Sequence, residues 1–330
     1  MTQANHAPGA ASGGAHGAID VHAHLAPRPL LEDLAEGRVR FGHIEVARHE
    51  ATYKLAFSGG PQTRPVNVGL TDLDKRRKWR GENGLALQVA GGWLDMFGYD
   101  LPADEGADWS RLLTDSMIKV TADDPNQAVL GTVPLQAPEA AAQALREQRA
   151  AGLPGVMIGT QAAGRDLADP EFTPFWEAAD ETDAVVFIHP GFGGASPRYQ
   201  DFGLVNGLAR LEDTTVTLAR MLYAGIPAKH PRARIVVAHA GAALPYVLGR
   251  LVRNHVLHPD TTYDPLESFA KLYFDSVVFD PDALRFLLGK VGASRVLLGS
   301  DYPFPIGDLT PRDILADAGL SDDDRGLVEA

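Results

Sequence analysis

The 330-residue chain contains no cysteine, which excludes disulfides, thiolate zinc sites, iron–sulfur clusters and cysteine nucleophiles in one step. It is also short of positive charge. Thirty Lys and Arg stand against 43 Asp and Glu, a formal net charge of −13. A surface of that sign repels phosphate backbones, so no nucleic-acid partner is expected. No apolar run approaches the roughly 20 residues of a membrane helix, so no membrane span is expected either. A P-loop and a Gly-x-Ser-x-Gly elbow are both missing. Residues 1–17 are rich in Ala, Gly and Ser and lack the basic start and apolar middle of a secretory leader. They read as a flexible tail, and with the missing cysteines they point to a cytoplasmic setting.

What is present is enough for a large core, with 45% hydrophobic and 22% charged residues. From residue 18 to 330 a single domain is expected, built from short β-rich runs alternating with helical stretches. The runs are Ala18–His24, Leu85–Ala90, Ala128–Pro134, Gly155–Thr160, Ala184–His189, Arg234–His239, Leu272–Ser276 and Arg295–Ser300. Most are nearly continuous apolar segments, the pattern of parallel strands covered on both faces. Eight such strands predict an α/β fold, a (β/α)8 TIM barrel, with a doubly wound sheet as the alternative. Asp169-Pro170 and Asp280-Pro281 predict helix N-caps, Thr71 with Asp74 resembles a capping box, and Gly289 is expected to stop a helix. Two connections are too long for simple crossovers: an insertion of about residues 27–69 after the first strand, and residues 190–208 after the fifth. Both should lie at the C-terminal rim of the strands, where barrel chemistry occurs.

His22-Ala23-His24 ends the first strand, and side chains at i and i+2 share a face, so both imidazoles can enter the barrel mouth. His189 ends the fifth strand, His239 the sixth, and Asp301 follows the eighth. Polar residues at the ends of four apolar strands converge in a barrel, and imidazoles with a carboxylate suit a divalent metal of borderline softness such as zinc. The fourth strand ends in Gly159-Thr160, with no Lys or Glu to bridge a second ion. One metal per chain is therefore expected. His43, His49, His255 and His258 read as surface residues, and Trp93, Met96, Phe97 and Tyr99 as either packing or a substrate wall.

This constellation resembles the amidohydrolase superfamily. The stretches LGTVPLQAPE at Leu130–Glu139, PGVMIGT at Pro154–Thr160 and LGSDYPFP at Leu298–Pro305 are similar to the α-amino-β-carboxymuconate-ε-semialdehyde decarboxylase family, over about residues 18–310. The resemblance implies that His22, His24, His189 and Asp301 hold one divalent ion, zinc or in some relatives manganese. It implies that His239 serves the chemistry as acid/base rather than as a ligand, and that Asp301 is catalytic as well as a ligand. It implies a homodimer in which Arg250, eleven residues after His239, is lent to the partner's site to bind substrate carboxylate. Arg64 and Lys54 in the insertion are further substrate-binding candidates, as is Phe192. Two departures bear on substrate. His-Pro-Gly-Phe at 189–192 replaces a His-Pro-Trp run, and His-Ala-Gly-Ala at 239–242 replaces a glycine-richer one.

The chemistry implied is non-oxidative decarboxylation of a small unsaturated or aromatic carboxylic acid. A metal in such a site lowers the pKa of its water to about 7, a histidine beside it relays protons, and arginine binds carboxylate bidentately. The same centre would equally serve a hydrolase cleaving an amide or lactone, or a hydratase. An inactive barrel kept as a binding scaffold is the reading from a different class. Residue pattern does not choose a substrate among these.

Overall fold

The computed structural model describes residues 17–191 and 196–330. The expected tail therefore lies outside the described residues except for Gly17. Twelve strands are described: β1 (Ala18–Leu25), β2 (Ile44–His49), β3 (Thr52–Phe57), β4 (Leu85–Gly92), β5 (Gln127–Val129), β6 (Gly155–Gly159), β7 (Gln161–Ala162), β8 (Arg165–Asp166), β9 (Val185–His189), β10 (Arg234–Val237), β11 (Tyr273–Asp275) and β12 (Val296–Leu297). The eight expected strands are β1, β4, β5, β6 and β9–β12. They form two parallel sheets, β1-β4-β5 and β6-β9-β10-β11-β12.

Two seams close these sheets into a barrel. At one, Gly131 bridges to Val156, with Gly131 N donating to Gly155 O and Met157 N to Gly131 O, each at 3.0 Å. At the other, Ala23 bridges to Tyr302, and Val21 N, His24 N and Asp301 N donate to Leu298 O, Tyr302 O and His22 O at 2.8–2.9 Å. The expected (β/α)8 barrel is the architecture.

Closure explains why the strands are apolar throughout. In β9, Val186 and Ile188 join the layer shared with the outer helices, where Phe175, Trp176 and Leu218 lie. Phe187 between them joins the inward set with Met157, Ala90 and Val236. Each strand fills the barrel with one face and holds its helices with the other, so period-2 alternation of polarity is absent.

The insertion has structure of its own: a helix over Arg28–Ala35 and an antiparallel hairpin of β2 and β3. Tyr53, Leu55 and Phe57 pack with Met96 and Trp109, which fixes the hairpin on the barrel rim. Helix punctuation differs from expectation at two places. Thr71 donates its hydroxyl to Val68 O inside a short helix, so Asp72 caps the next helix instead, accepting from Lys75 N at 2.9 Å. Gly289 lies within the helix Pro281–Val291, which ends at Gly292, where φ is +77°. A stop needs a residue that tolerates that conformation, and Gly292 rather than Gly289 adopts it. Asp169 and Asp280 cap as expected.

Candidate metal centre

Alternation along β1 sends Asp20, His22 and His24 inward, and all three are fully buried. Asp20 holds the strand ends in register. Its Oδ1 accepts from His22 N and Ser300 N at 3.1 Å each, and its Oδ2 accepts from Gln88 Nε2 at 2.8 Å and Ser300 Oγ at 2.6 Å. Arg76, also fully buried, braces the same corner by donating to Gln88 Oε1 at 2.7 Å and to His24 O. Burial pushes the Asp20 carboxyl up and Arg76 down to about 10.

Above this floor the ligand atoms of His22, His24, His189 and Asp301 lie within 4.8 Å of one another, the only such group among the described residues. His22 Nε2 is 3.2 Å from His24 Nε2, and Asp301 Oδ1 is 3.4, 3.1 and 3.9 Å from the Nε2 atoms of His22, His24 and His189. Each imidazole is oriented from behind. His22 Nδ1 stands 2.6 Å from Asp275 Oδ2, His24 Nδ1 is 3.3 Å from Gly92 O, and His189 Nδ1 is 3.0 Å from Pro190 O. Carbonyl and carboxylate oxygens only accept, so each Nδ1 carries a proton and each Nε2 is the nitrogen turned to the centre.

The donor set fits a divalent ion. His189 Nε2 and Asp301 Oδ1 are buried with no hydrogen-bond partner, a costly state unless something else satisfies them. Separations of 3.1–3.9 Å between donors suit an ion about 2.0–2.2 Å from each. At the end of β6, Thr160 donates to Asp213, so its hydroxyl is already engaged.

Electrostatics divides the four groups. Burial opposes charge on His22, but the Asp301 and Asp275 carboxylates outweigh it and raise the imidazole to about 10. Burial, reinforced by neighbouring imidazoles, lowers His24 and takes His189 well below the ordinary value. Burial would raise Asp301, yet His22, His239 and His24 hold it well below the usual carboxylate range.

His239 lies outside the ligand group, with Nε2 3.6 Å from Asp301 Oδ2 and a buried Nδ1 that has no partner. It opens the turn over 239–242, in which all four residues have φ between +54° and +72°. Asp275 builds this turn, accepting from His239 N at 2.9 Å and Ala240 N at 2.7 Å.

The candidate substrate residues are dispersed. Arg64 is half-exposed, pairs loosely with Asp95 at 3.4 Å, and lies 5.7 Å over the Trp93 ring. Lys54 sits on β3 facing away from Tyr53 and Leu55, without an ion pair among the described residues. Arg250 is exposed on the helix Leu244–Leu257, outside its own barrel and also without an ion pair there. Phe192 lies outside the described residues. Trp93, Met96 and Phe97 are buried in the core and Tyr99 is partly buried against it, which accords with packing, and Trp93 directly follows β4.

Two residues escaped the sequence analysis. Asp275 ends β11 as His189 ends β9, so the strand-end rule would have found it. Asp20 shares the inward face with His22 and His24, and the same alternation marks it.

The amidohydrolase family profile matches residues 19–328. Among curated proteins, the chain is 29% identical over 304 residues to 2-amino-3-carboxymuconate-6-semialdehyde decarboxylase of Dictyostelium discoideum, covering 90% of this chain and 84% of that one. It is 28% identical over 231 residues to gamma-resorcylate decarboxylase of Rhodococcus jostii, covering 62% and 69%. Among solved structures, 5-carboxyvanillate decarboxylase of Novosphingobium aromaticivorans, complexed with manganese and 4-hydroxy-3-methoxy-5-nitrobenzoic acid, superposes with a TM-score of 0.73. That alignment is 21% identical and covers 94% of this chain and 93% of that one.

Proposed function

The chain belongs to the amidohydrolase family, and from that premise we propose that it is a metal-dependent non-oxidative decarboxylase of a small unsaturated or aromatic carboxylic acid. The observation that carries this is the convergence of three buried Nε2 atoms on Asp301 Oδ1 with His239 beside them. Two relatives whose names are decarboxylases, one of them spanning 90% of this chain, support it.

His22, His24, His189 and Asp301 would hold one divalent ion, zinc or manganese. Such an ion polarises a carboxylate or carbonyl oxygen and acidifies water. The protein's own part is orientation and proton transfer. The Nδ1 contacts to Asp275, Gly92 and Pro190 keep the three rings aimed. When the C–C bond to the departing carboxylate breaks, its electron pair stays on the substrate carbon and carbon dioxide leaves. His239 then gives that carbon its proton from Nε2, the nitrogen turned toward Asp301. Arg250, lent by the partner in a homodimer, anchors substrate carboxylate, with Arg64 and, more remotely, Lys54 in the insertion. The exposure of Arg250, and of Tyr246 four residues earlier at 83%, is what supports a partner on that helix. Among the described residues no helix is long and apolar enough to cross a membrane. We place the enzyme in the cytoplasm, as one catalytic unit over residues 18–330.

The test is carbon dioxide release by manganese- or zinc-loaded protein from 2-amino-3-carboxymuconate-6-semialdehyde, gamma-resorcylate and 5-carboxyvanillate. Turnover of at least one acid that disappears on chelation is expected. No release from any of them, with labelled water appearing in the products of an amide or lactone panel, would replace the decarboxylase with a hydrolase.

A further inference from the structure

The helix Leu73–Glu82, between the insertion and β4, buries two side chains, and both are arginines, Arg76 and Arg80. A buried charge is costly unless something specific holds it. Arg80 has the ordinary answer. It pairs with Asp124 at 2.8 and 2.9 Å and donates to Asn126 O at 3.0 Å. It therefore holds the start of β5, at the opposite end of the strands from the candidate ligands.

Arg76 has no carboxylate partner among the described residues. Its Nη1 donates to Gln88 Oε1 at 2.7 Å and its Nη2 to His24 O, while Nε is buried without an acceptor. Its guanidinium lies 4.8 Å over the ring of Tyr302, on which Trp79 of the same helix stacks at 4.3 Å.

These contacts converge on two candidate ligands whose side chains have little support from behind. His22 Nδ1 has a carboxylate at 2.6 Å, whereas His24 Nδ1 has only Gly92 O at 3.3 Å. Asp301 Oδ1 has no hydrogen-bond partner. Yet Asp301 Oδ1 and His24 Nε2 stand 3.1 Å apart, closer than Asp301 Oδ1 stands to His22 or His189. Backbone must supply the precision. His24 N donates to the carbonyl of Tyr302, the residue after Asp301, at 2.8 Å. Arg76 grips both sides of that link, the His24 carbonyl and the Tyr302 ring.

Gln88 carries the contact further. A guanidinium only donates, so Gln88 must turn its oxygen to Arg76 and its amide donor to Asp20. Gln88 Nε2 donates to Asp20 Oδ2 at 2.8 Å, and Asp20 Oδ1 accepts from His22 N and Ser300 N at 3.1 Å each. An apolar side chain at position 76 could fill the space but could make none of these directed contacts.

Resting on the metal-dependent reading above, we propose that Arg76 is a positioning residue of the metal centre. Its contacts with His24 O, the Tyr302 ring and the Gln88–Asp20 relay set the separation of His24 from Asp301. They thereby set the affinity and geometry with which an ion is held. The guanidinium acts through the backbone of the ligands rather than on ion or substrate.

Cobalt(II) is the probe, because its visible absorption reports coordination geometry as well as occupancy. The metal-free full chain is titrated with cobalt(II) as wild type, Arg76→Met, Arg76→Lys and Arg80→Met, and each metal-free protein is also melted. Both methionine variants should melt at lower temperature, since each loses buried hydrogen bonds. Arg76→Met should also bind cobalt(II) about ten- to hundredfold more weakly, the cost of losing an outer partner of a ligand, with shifted absorption bands. Arg76→Lys should fall between, about three- to tenfold weaker, since it keeps the charge without the planar fork. Arg80→Met should stay within about threefold of wild type with its bands unchanged, since it touches no ligand. Wild-type affinity and bands in Arg76→Met overturn the proposal, and so does an equal loss in Arg80→Met. If Arg76→Met does not fold, Arg76→Lys decides, and wild-type affinity and bands in that variant overturn the proposal. No cobalt(II) binding by wild type would overturn the metal centre and this proposal together. Binding without decarboxylation of any acid counts only against the proposed reaction.

Discussion

His22 Nδ1 and Asp275 Oδ2 are 2.6 Å apart, with both side chains fully buried, and their contact ties the end of β1 to the end of β11. The same carboxylate accepts from the backbone of His239 and Ala240. One buried acid thus aims a proposed metal ligand and shapes the turn that carries His239, the proposed acid/base. Asp275→Asn keeps the shape but donates where it must accept. Metal affinity should fall about 10–100-fold, as for other outer partners of ligating histidines. Titration of the metal-free protein with manganese checks this, and an unchanged affinity would remove Asp275 from the design of the site.

His239 and His189 should separate when truncated. His239→Ala should retain its metal and lose about 10²–10⁴-fold in turnover, the usual cost of a missing acid/base group. His189→Ala should lose metal affinity as well. Elemental analysis alongside rate measurements distinguishes them, and the reverse pattern would exchange their roles.

Metal affinity should rise with pH. In the metal-free protein His22 is held up to about 10 by Asp301 and Asp275, whereas His24 and His189 are shifted down and stay neutral. Binding must therefore displace close to one proton between about pH 7 and 10, so affinity gains up to about tenfold per pH unit and levels off above 10. The sign for folding is opposite. A raised imidazole stabilises the metal-free chain fully below about pH 6.5, and that contribution is lost as pH rises through about 10. Calorimetry in buffers of differing ionisation enthalpy counts the released protons, and a count of zero would contradict the His22 assignment.

Ala242 and Gly241 should respond in opposite directions to exchange. Ala242 has φ +55° and ψ −124°, a conformation close to glycine-only. Ala242→Gly should stabilise the fold by about 1 kcal/mol, after the extra backbone entropy that glycine loses. Gly241 has φ +72°, and a Cβ there would lie 2.7 Å from the Phe274 ring, so Gly241→Ala should destabilise it by about 2 kcal/mol or more. Thermal denaturation of both variants reads the two signs.

The proposed sharing of Arg250 between chains makes a quantitative prediction. Arg250→Ala and His239→Ala should each be inactive alone. Co-refolded in equal amounts, half the dimers are mixed, and each mixed dimer has one complete site, so roughly a quarter of wild-type activity should return. Background activity, with mixed dimers confirmed by mass, means that Arg250 serves its own chain or none.

The sequence by itself determined the alternation of buried parallel strands with helices and the candidate metal-ligand set. Continuous apolar runs such as Val185–Ile188 can only be strands covered twice. The candidate ligands His22, His24, His189 and Asp301 stand where such strands end and lie together in the structure, so local pattern and global geometry coincide. Strand-end position and alternation mark Asp275 and Asp20 as buried acids but not what they hold, because each gains its meaning from a group far along the chain. Asp275 meets a histidine 253 positions away, and Asp20 a serine 280 positions away. The rim position of the insertion was legible, but its hairpin was not, since its apolar face is completed by Trp109 and Met96 of other elements. Barrel closure is what brings distant strands together, and only those contacts decide which buried acid orients His22 and which one ties the end of the chain to β1.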